Sequence, residues 1–457
     1  MGPLIIGLYL FLILAMGIQF GLLSLFVNES ICWLRVLAIA GCWVIFEWVR
    51  LFFLCGFTWN PVGLALAASP YSLQFASVWG IFGLSFWVVL VNLGALKAWM
   101  ARSSRQLFIW GAMAAFPYIF GFVHQSWVEA HTKAGTTLDV AIVQTHLSPE
   151  QKEYSMQSPD AYIHPLIQWE QILHALPKKK IDLIVLPEAA LPLGAHNASY
   201  PLASISGYFN ENVLPPLKKP YAHWDRGSWK VTNTFLLQAL ANQYKAHVIA
   251  GLDDRDVSGT YNAAFHFFPE NLPYERYEKQ ILVPVGEYIP LKQWRRFSQF
   301  VGKQFGIYSS FDSGIEGKVF QTPVPIGISI CLEETFTHLI RTLRLKGAEL
   351  LVNVTNDAWF PHSRLPRQHF DHGRVRAVEN GVPILRSCNS GISGVIDCFG
   401  RTIKALPLEK NGVSALCCSF PIRSYSTLYT FWGDGAILGV SMGAIASYFL
   451  FRKKKLL

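Results

Sequence analysis

Five apolar stretches limit what this chain can fold into. Four fall in its first quarter, at about 3–27, 36–54, 73–96 and 107–124, and a fifth covers about 435–451. A helix crosses a bilayer core with about 20 apolar residues, so each stretch qualifies as a span. Composition agrees: 51% of the 457 residues are hydrophobic and only 15% are charged, against roughly 25% charged in ordinary soluble domains. The second stretch carries Glu47 and Arg50, three apart near its end. Either the two pair on one helix face, or Glu47 faces inward with a functional role.

The net charge of +9 does not point to nucleic acid. Part of it is the tail Arg452-Lys453-Lys454-Lys455, directly after the last apolar stretch; another part is Lys97, Arg102 and Arg105, between the third and fourth. Positive loops stay on the cytoplasmic side, so both clusters are expected there. The segment from about 125 to 433 is then expected on the outer side, the periplasmic face in a bacterium. By the same count Met1 starts outside, without a positive leader region or a cleavage signal. That suggests further spans upstream of Met1.

From about residue 138 the texture changes. Short β-rich runs (Leu138–Val143, Ile181–Leu186, Ala246–Gly251, Asn262–Phe268, Pro325–Cys331, Glu349–Val354, Val382–Arg386, Gly394–Asp397) alternate with helix-compatible stretches. The latter lie at about 161–176, 232–244, 333–346 and 367–380. Strands alternating with helices predict an α/β domain. The stretch 195–230, rich in Pro, Gly, Ser and aromatics, reads as a long loop or lid. The expected organisation is spans over 1–124, a linker over 125–137, a domain over 138–421, a carboxy-terminal span over 434–451 and a basic tail over 452–457.

Three residues stand in settings that suit catalysis. Glu188 ends the run Ile181-Asp182-Leu183-Ile184-Val185-Leu186-Pro187-Glu188, and Cys331 closes Ile326-Gly327-Ile328-Ser329-Ile330-Cys331. Lys279 lies just before another short apolar run, Ile281-Leu282-Val283. Taken singly, each residue type usually has a bland role: a cap neighbour, a solvated face, a small buried hydrophobe. Together, a strand-end cysteine with a carboxylate base and an ammonium partner suits attack on a carbonyl carbon through a covalent acyl intermediate. A nearby cation is also expected to lower the thiol pKa. The other cysteines, Cys32, Cys42, Cys55, Cys388, Cys398, Cys417 and Cys418, have the spacing of neither a metal site nor a disulfide framework. No metal and no cofactor is called for.

Pro187-Glu188, the Lys279 segment and Ser329-Ile330-Cys331-Leu332-Glu333 resemble, in order and separation, the three signatures of the nitrilase superfamily. The resemblance narrows with Lys279-Gln-Ile-Leu-Val-Pro-Val-Gly-Glu287-Tyr-Ile-Pro-Leu291, Asn356-Asp357-Ala358-Trp359-Phe360, Gln368-His369-Phe370 and Leu385-Arg386-Ser387-Cys388-Asn389-Ser390-Gly391-Ile392. These look like the apolipoprotein N-acyltransferase family, as do Glu47-Trp48-Val49-Arg50 and Gly56-Phe57-Thr58-Trp59-Asn60 near the apolar stretches. The resemblance implies a multi-span helical membrane domain joined to an α-β-β-α sandwich with a Glu188–Lys279–Cys331 triad. It implies a phospholipid acyl donor, a diacylated apolipoprotein acceptor and a bacterial inner-membrane location. It also places Glu287 and Glu333 in support of the active site.

Trp359 and Phe360 are candidates to line an acyl channel. Trp294 and Phe297, among the basic residues of 289–305, are candidates for lipid contact at the interface. Three departures stand out. Family members usually have eight spans against five here, and often a tryptophan shortly after the first domain strand, where Ser148–Tyr154 has none. An aromatic commonly follows the nucleophile, where this chain has Leu332. A membrane-tethered amidase or hydrolase using water as acceptor shares the triad chemistry. A non-catalytic membrane scaffold is the alternative from another class.

Overall fold

The computed structural model describes residues 4–26, 32–52, 56–152, 159–205, 207–271, 273–289, 294, 296, 298–300, 302, 310–358, 363–407 and 412–456. The amino-terminal part is helical: α1 (Leu4–Ser24), α2 (Trp33–Val49), α3 (Ala76–Ala101) and α4 (Ser104–His131). Helices α3 and α4 are long and apolar enough to cross a membrane; Tyr9–Ser24 and Gly435–Phe451 are shorter apolar helices. Helix α4 runs on to His131, so the first half of the expected linker is helix. Helix α3 is broken near its start. Gly80 takes φ 65° and ψ −175°, a combination open essentially to glycine alone.

The α/β part follows. Its strands are β1 (Thr137–Gln144), β2 (Leu183–Val185), β3 (Tyr200–Pro201), β4 (Ala222–Asp225), β5 (Ser228–Val231), β6 (His247–Arg255), β7 (Thr260–Phe267), β8 (Glu275–Glu278), β9 (Val319–Phe320), β10 (Ile326–Ile330), β11 (Leu350–Thr355), β12 (Ile384–Cys388), β13 (Gly394–Ile396), β14 (Thr402–Ala405) and β15 (Ser414–Pro421). Between them lie α5 (Pro165–Ala175), α6 (Asn233–Tyr244), α7 (Thr337–Leu345) and α8 (Leu365–Asn380), and α9 (Gly435–Leu456) closes the chain. Two six-stranded sheets form, in the orders β15-β1-β2-β6-β7-β8 and β14-β13-β12-β11-β10-β9.

The alternation of side chains along a strand explains the layering. Val140, Ile142, Val185 and Ile249 on one sheet meet Ile326, Ile328, Val352 and Leu385 on the other. The opposite face of the first sheet, with Ala141, Ile184 and Val248, packs on Trp169 and Ile172 of α5 and Phe235 and Leu240 of α6. Strands buried on both faces read as near-continuous apolar runs, which is why they were visible in the sequence. The stretch 195–230, read as a loop or lid, instead holds a three-stranded sheet, β3-β5-β4. Its hairpin turns at Arg226 and Gly227, with φ 46° and 83°. Two positive φ values suit a tight hairpin turn, and an arginine in the first position hides that signal.

One apolar cluster unites the two parts. Val36, Ala40 and Val44 of α2 and Leu84 of α3 share it with Phe336, Leu339, Leu351 and Val375 of the α/β domain. The break at Gly80 is used here. The Ile81 N–H donates to Glu379 Oε1 at 2.7 Å, and Glu379 pairs with Arg376 at 3.1 Å, both side chains fully buried. A Cβ on Gly80 would lie 2.4 Å from the Tyr429 ring. Glu47 pairs with Arg50 at 3.7 Å and also accepts Trp43 Nε1 at 2.7 Å and the Val62 N–H at 2.9 Å. The pairing forms, and the Glu47 carboxylate is also buried facing inward.

Gly80→Ala combines a forbidden backbone angle with a steric clash. It should destabilise the protein by about 1 to 3 kcal/mol, while Gly111→Ala, with open space around it, should not. Thermal midpoints of the two detergent-solubilised variants check this.

Candidate active site

Glu188, Lys279 and Cys331 come from three loops at the carboxyl ends of strands, where α/β domains gather functional groups. Glu188 follows β2 through Leu186 and Pro187. Its turn lies against Gly251 of β6, where a Cβ would come within 2.6 Å of the Glu188 Cα. Lys279 directly follows β8, and its side chain is 1% exposed. Cys331 directly follows β10 and starts a 3₁₀ turn, Cys331–Thr335, at φ 53°. That left-handed angle is strained for a side-chain-bearing residue and projects the cysteine at a sharp strand-to-turn corner.

The ammonium is the centre of the arrangement. Lys279 Nζ lies 3.1 Å from Glu188 Oε1 and 2.8 Å from Glu287 Oε1. Asn262 Nδ2 donates to the same two oxygens at 2.7 Å each, holding the carboxylates around one cation. The second Glu287 oxygen accepts the Val283 N–H at 2.7 Å, so Glu287 ties Lys279 to its own loop. Burial works against the Lys279 charge. The carboxylates of Glu188 and Glu287 outweigh it and hold the amine charged well above the ordinary lysine range.

For the thiol the balance differs from the expectation that a nearby cation lowers its pKa. Burial first, then Glu188, push the Cys331 thiol well above the ordinary range; Lys279 opposes them, and Asp357 and Glu287 add to the rise. With three carboxylates around it and one ammonium, Cys331 rests as the neutral thiol, beside a carboxylate able to take its proton.

Glu333 is buried under the Cys331–Thr335 turn. Its carboxylate accepts Ile330 N–H at 2.7 Å, Gln280 N–H at 2.6 Å, Ile281 N–H at 3.2 Å and the Tyr277 hydroxyl at 2.9 Å. It thus staples the Cys331 corner to the Lys279 segment. Burial pushes its carboxyl up to about 7, against the backbone N–H bonds and Lys279. Trp294 is 64% exposed. Trp359, Phe360 and Phe297 lie outside the described residues, as does Tyr154.

Sequence reasoning missed Asn262 and Asn353, and gave no role to Asp357, His369 and Arg386, which form a buried polar layer behind Cys331. There Asn353 Nδ2 donates to the Cys331 carbonyl at 3.1 Å, Asp357 Oδ1 meets His369 Nδ1 at 2.8 Å, and Arg386 lies 2.7 Å from Glu334. The available signal was a polar residue inside an apolar strand, such as Asn353 within Leu350–Thr355 or Arg386 within Ile384–Cys388. A buried polar group needs partners and so marks a network.

Strand-end glutamate, lysine and cysteine on two apposed sheets define a class, and the sequence matches name it. The family model described as carbon-nitrogen hydrolase matches residues 139–417, and one described as apolipoprotein N-acyltransferase N-terminal domain matches residues 1–94. The apolipoprotein N-acyltransferase of Chlamydia trachomatis serovar D is 35% identical over 431 residues, covering 91% of this chain and 76% of its own. That of Chlamydia caviae is 32% identical over 429 residues, covering 90% and 76%. Among solved structures, Saccharomyces cerevisiae Nit3, of branch 10 of the nitrilase superfamily, superposes with TM-score 0.40 at 18% identity, covering 65% and 94%. The chain is a carbon-nitrogen hydrolase superfamily protein by its α/β domain. Within that superfamily it belongs to the apolipoprotein N-acyltransferase family.

The Glu333 value makes a pH prediction. Its carboxylate, the form that accepts the backbone N–H groups, is present above about 7 and lost below it. Turnover should therefore fall as pH drops through neutrality. Glu333→Gln, which does not titrate, should turn over more slowly but without that acid limb. An unchanged limb in the variant, read from rates across the neutral range, would assign the titration elsewhere.

Proposed function

We propose that the chain transfers an acyl chain from a phospholipid, through a thioester on Cys331, to the N-terminal amine of a diacylglyceryl-cysteine apolipoprotein. The observation that carries this reading is the Glu188–Lys279–Glu287 cluster beside the strained Cys331 corner. Family membership through both domains supports the choice of substrates.

The chemistry follows from the resting charges. Glu188 takes the Cys331 proton as the sulfur bonds to the ester carbonyl carbon, so the thiolate never accumulates. The carbonyl oxygen becomes an oxyanion beside the Lys279 ammonium and the Leu332 N–H, donors of the kind that contribute a few kcal/mol each. The C–O bond to the glycerol breaks, and the lysophospholipid alkoxide takes the proton back from Glu188. The acceptor amine then bonds to the thioester carbon and gives a proton to Glu188. The C–S bond breaks, an amide leaves, and the Cys331 sulfur recovers the proton. Two half-reactions on one cysteine give ping-pong kinetics.

The helical part is read as a multi-pass anchor in the bacterial inner membrane, with the α/β domain on the periplasmic face. Apolar side chains exposed along α1 and α4, among them Leu10, Leu14, Phe108, Ile119 and Phe122, support burial in lipid. The basic groups Lys97, Arg102 and Arg105, together with the Arg452–Lys455 tail, support a cytoplasmic side for that end. Reporter fusions at residues 200 and 457 should then report opposite sides; the same side for both would overturn the topology.

Cys331→Ala should abolish the acyl-enzyme, while Cys388→Ala, Cys398→Ala, Cys417→Ala and Cys418→Ala should each retain turnover. Lys279→Ala should fail to acylate Cys331 in the protein that reaches the membrane. Lys279→Arg should rescue poorly, because a planar fork does not imitate a point ammonium between two carboxylates. Mass measurement of trapped Cys331 decides it, and near-normal acylation in Lys279→Ala would refute the assignment.

A further inference from the structure

His369 on α8 is wholly buried, and oxygens of the nucleophile turn and its neighbours surround its ring. Nδ1 lies 2.8 Å from Asp357 Oδ1. Nε2 lies 3.2 Å from the Cys331 carbonyl oxygen and 3.1 Å from Glu334 Oε1. Nε2 faces only acceptors, so with hydrogen on Nε2 the ring donates to the nucleophile turn. The Cys331 carbonyl also accepts Asn353 Nδ2 at 3.1 Å, which occupies its two lone pairs.

That carbonyl shares one peptide plane with the Leu332 N–H. In a trans peptide the C=O and N–H point in opposite directions. Anchoring the oxygen on His369 and Asn353 therefore aims the Leu332 N–H away from them. The strained φ of 53° at Cys331 means that the corner needs such an external hold.

On its other side the ring meets Trp59 edge to face, with centroids 5.2 Å apart. Gln368, the preceding residue, donates to the Trp59 carbonyl, and Thr58 Oγ1 shares a 2.5 Å hydrogen bond with Thr335 Oγ1. The Gly56–Asn60 segment of the helical part thus grips both the helix bearing His369 and the far end of the Cys331–Thr335 turn.

We infer that His369 is a positioning residue. It fixes the Cys331–Leu332 peptide plane, and through it the seating of the Trp59 segment against the α/β domain is passed to the nucleophile. The inference rests on the role of Cys331 given above. It adds that the helical part sets the competence of the catalytic corner as well as tethering it.

The test compares two reactions of one thiol in the full-length, detergent-solubilised protein: acylation by phospholipid, read by mass on Cys331, and alkylation by iodoacetamide. Only the first develops an oxyanion. His369→Leu should slow acylation about a hundredfold, as expected for a misplaced reacting group, with the half-saturating phospholipid concentration unchanged and alkylation much less affected. His369→Gln, which returns an N–H donor, should recover part of the loss. Trp59→Ala should slow acylation on its own and add little in the His369→Leu background.

Equal loss of acylation and alkylation, or full additivity of Trp59→Ala with His369→Leu, would overturn the inference. If His369→Leu does not accumulate, His369→Gln and Trp59→Ala carry the test, and wild-type acylation in both refutes it. Failure of the wild-type protein to acylate Cys331 would instead count against the proposed function.

Discussion

A lysine with 1% of its side chain exposed has to be paired, and Lys279 is paired twice. An isolated ammonium in such a place would shed its proton, because desolvation disfavours the charged form. Glu188 and Glu287 prevent that, and Asn262 keeps the two carboxylates from separating. The ends of β2, β7 and β8 are therefore held together by one charge, and the surrounding loops take their shape from that requirement. Glu287 lies eight residues beyond Lys279, so the intervening segment folds back on itself, with the Glu287 N–H bonded to the Val283 carbonyl at 2.8 Å.

The same cluster sets the resting state of the thiol. Carboxylates outnumber the cation around Cys331, and burial adds to their effect, so the sulfur keeps its proton. A neutral thiol beside a carboxylate is less open to adventitious oxidation or alkylation than a thiolate. In the proposed mechanism its reactivity appears only when a carbonyl carbon is in place and the proton can move to Glu188. Lys279 then acts chiefly on charge that develops during reaction, which is where a fixed cation is most effective.

The joint between the helical part and the α/β domain is built from polar groups inside an apolar cluster. Glu379 receives the Ile81 N–H freed by the break at Gly80, and Arg374 donates to the Ala67 carbonyl at 2.7 Å. Apolar contact alone is indifferent to register, whereas each of these bonds is formed in only one seating. The seating is what places the Gly56–Asn60 segment against Thr335, Gln368 and His369.

Local pattern was enough for the strand runs, the helix-compatible stretches between them, and the strand-end places of Glu188 and Cys331. Strands buried on both faces are mostly apolar, and that signal needs no partner to be read. The long loop expected over 195–230 is instead a small sheet because its hairpin depends on Arg226 adopting a positive φ, which a side chain conceals. The linker boundary failed because α4 continues to His131 on residues with no clear stop signal. Tertiary structure alone decided that Asn262 bridges two carboxylates and that Glu333 staples two loops. It alone decided that the Cys331 thiol is raised rather than lowered, and that His369 faces the Cys331 carbonyl. Each of these depends on which charges and lone pairs meet across distant parts of the chain, and pairwise electrostatics are not encoded in any one run of residues.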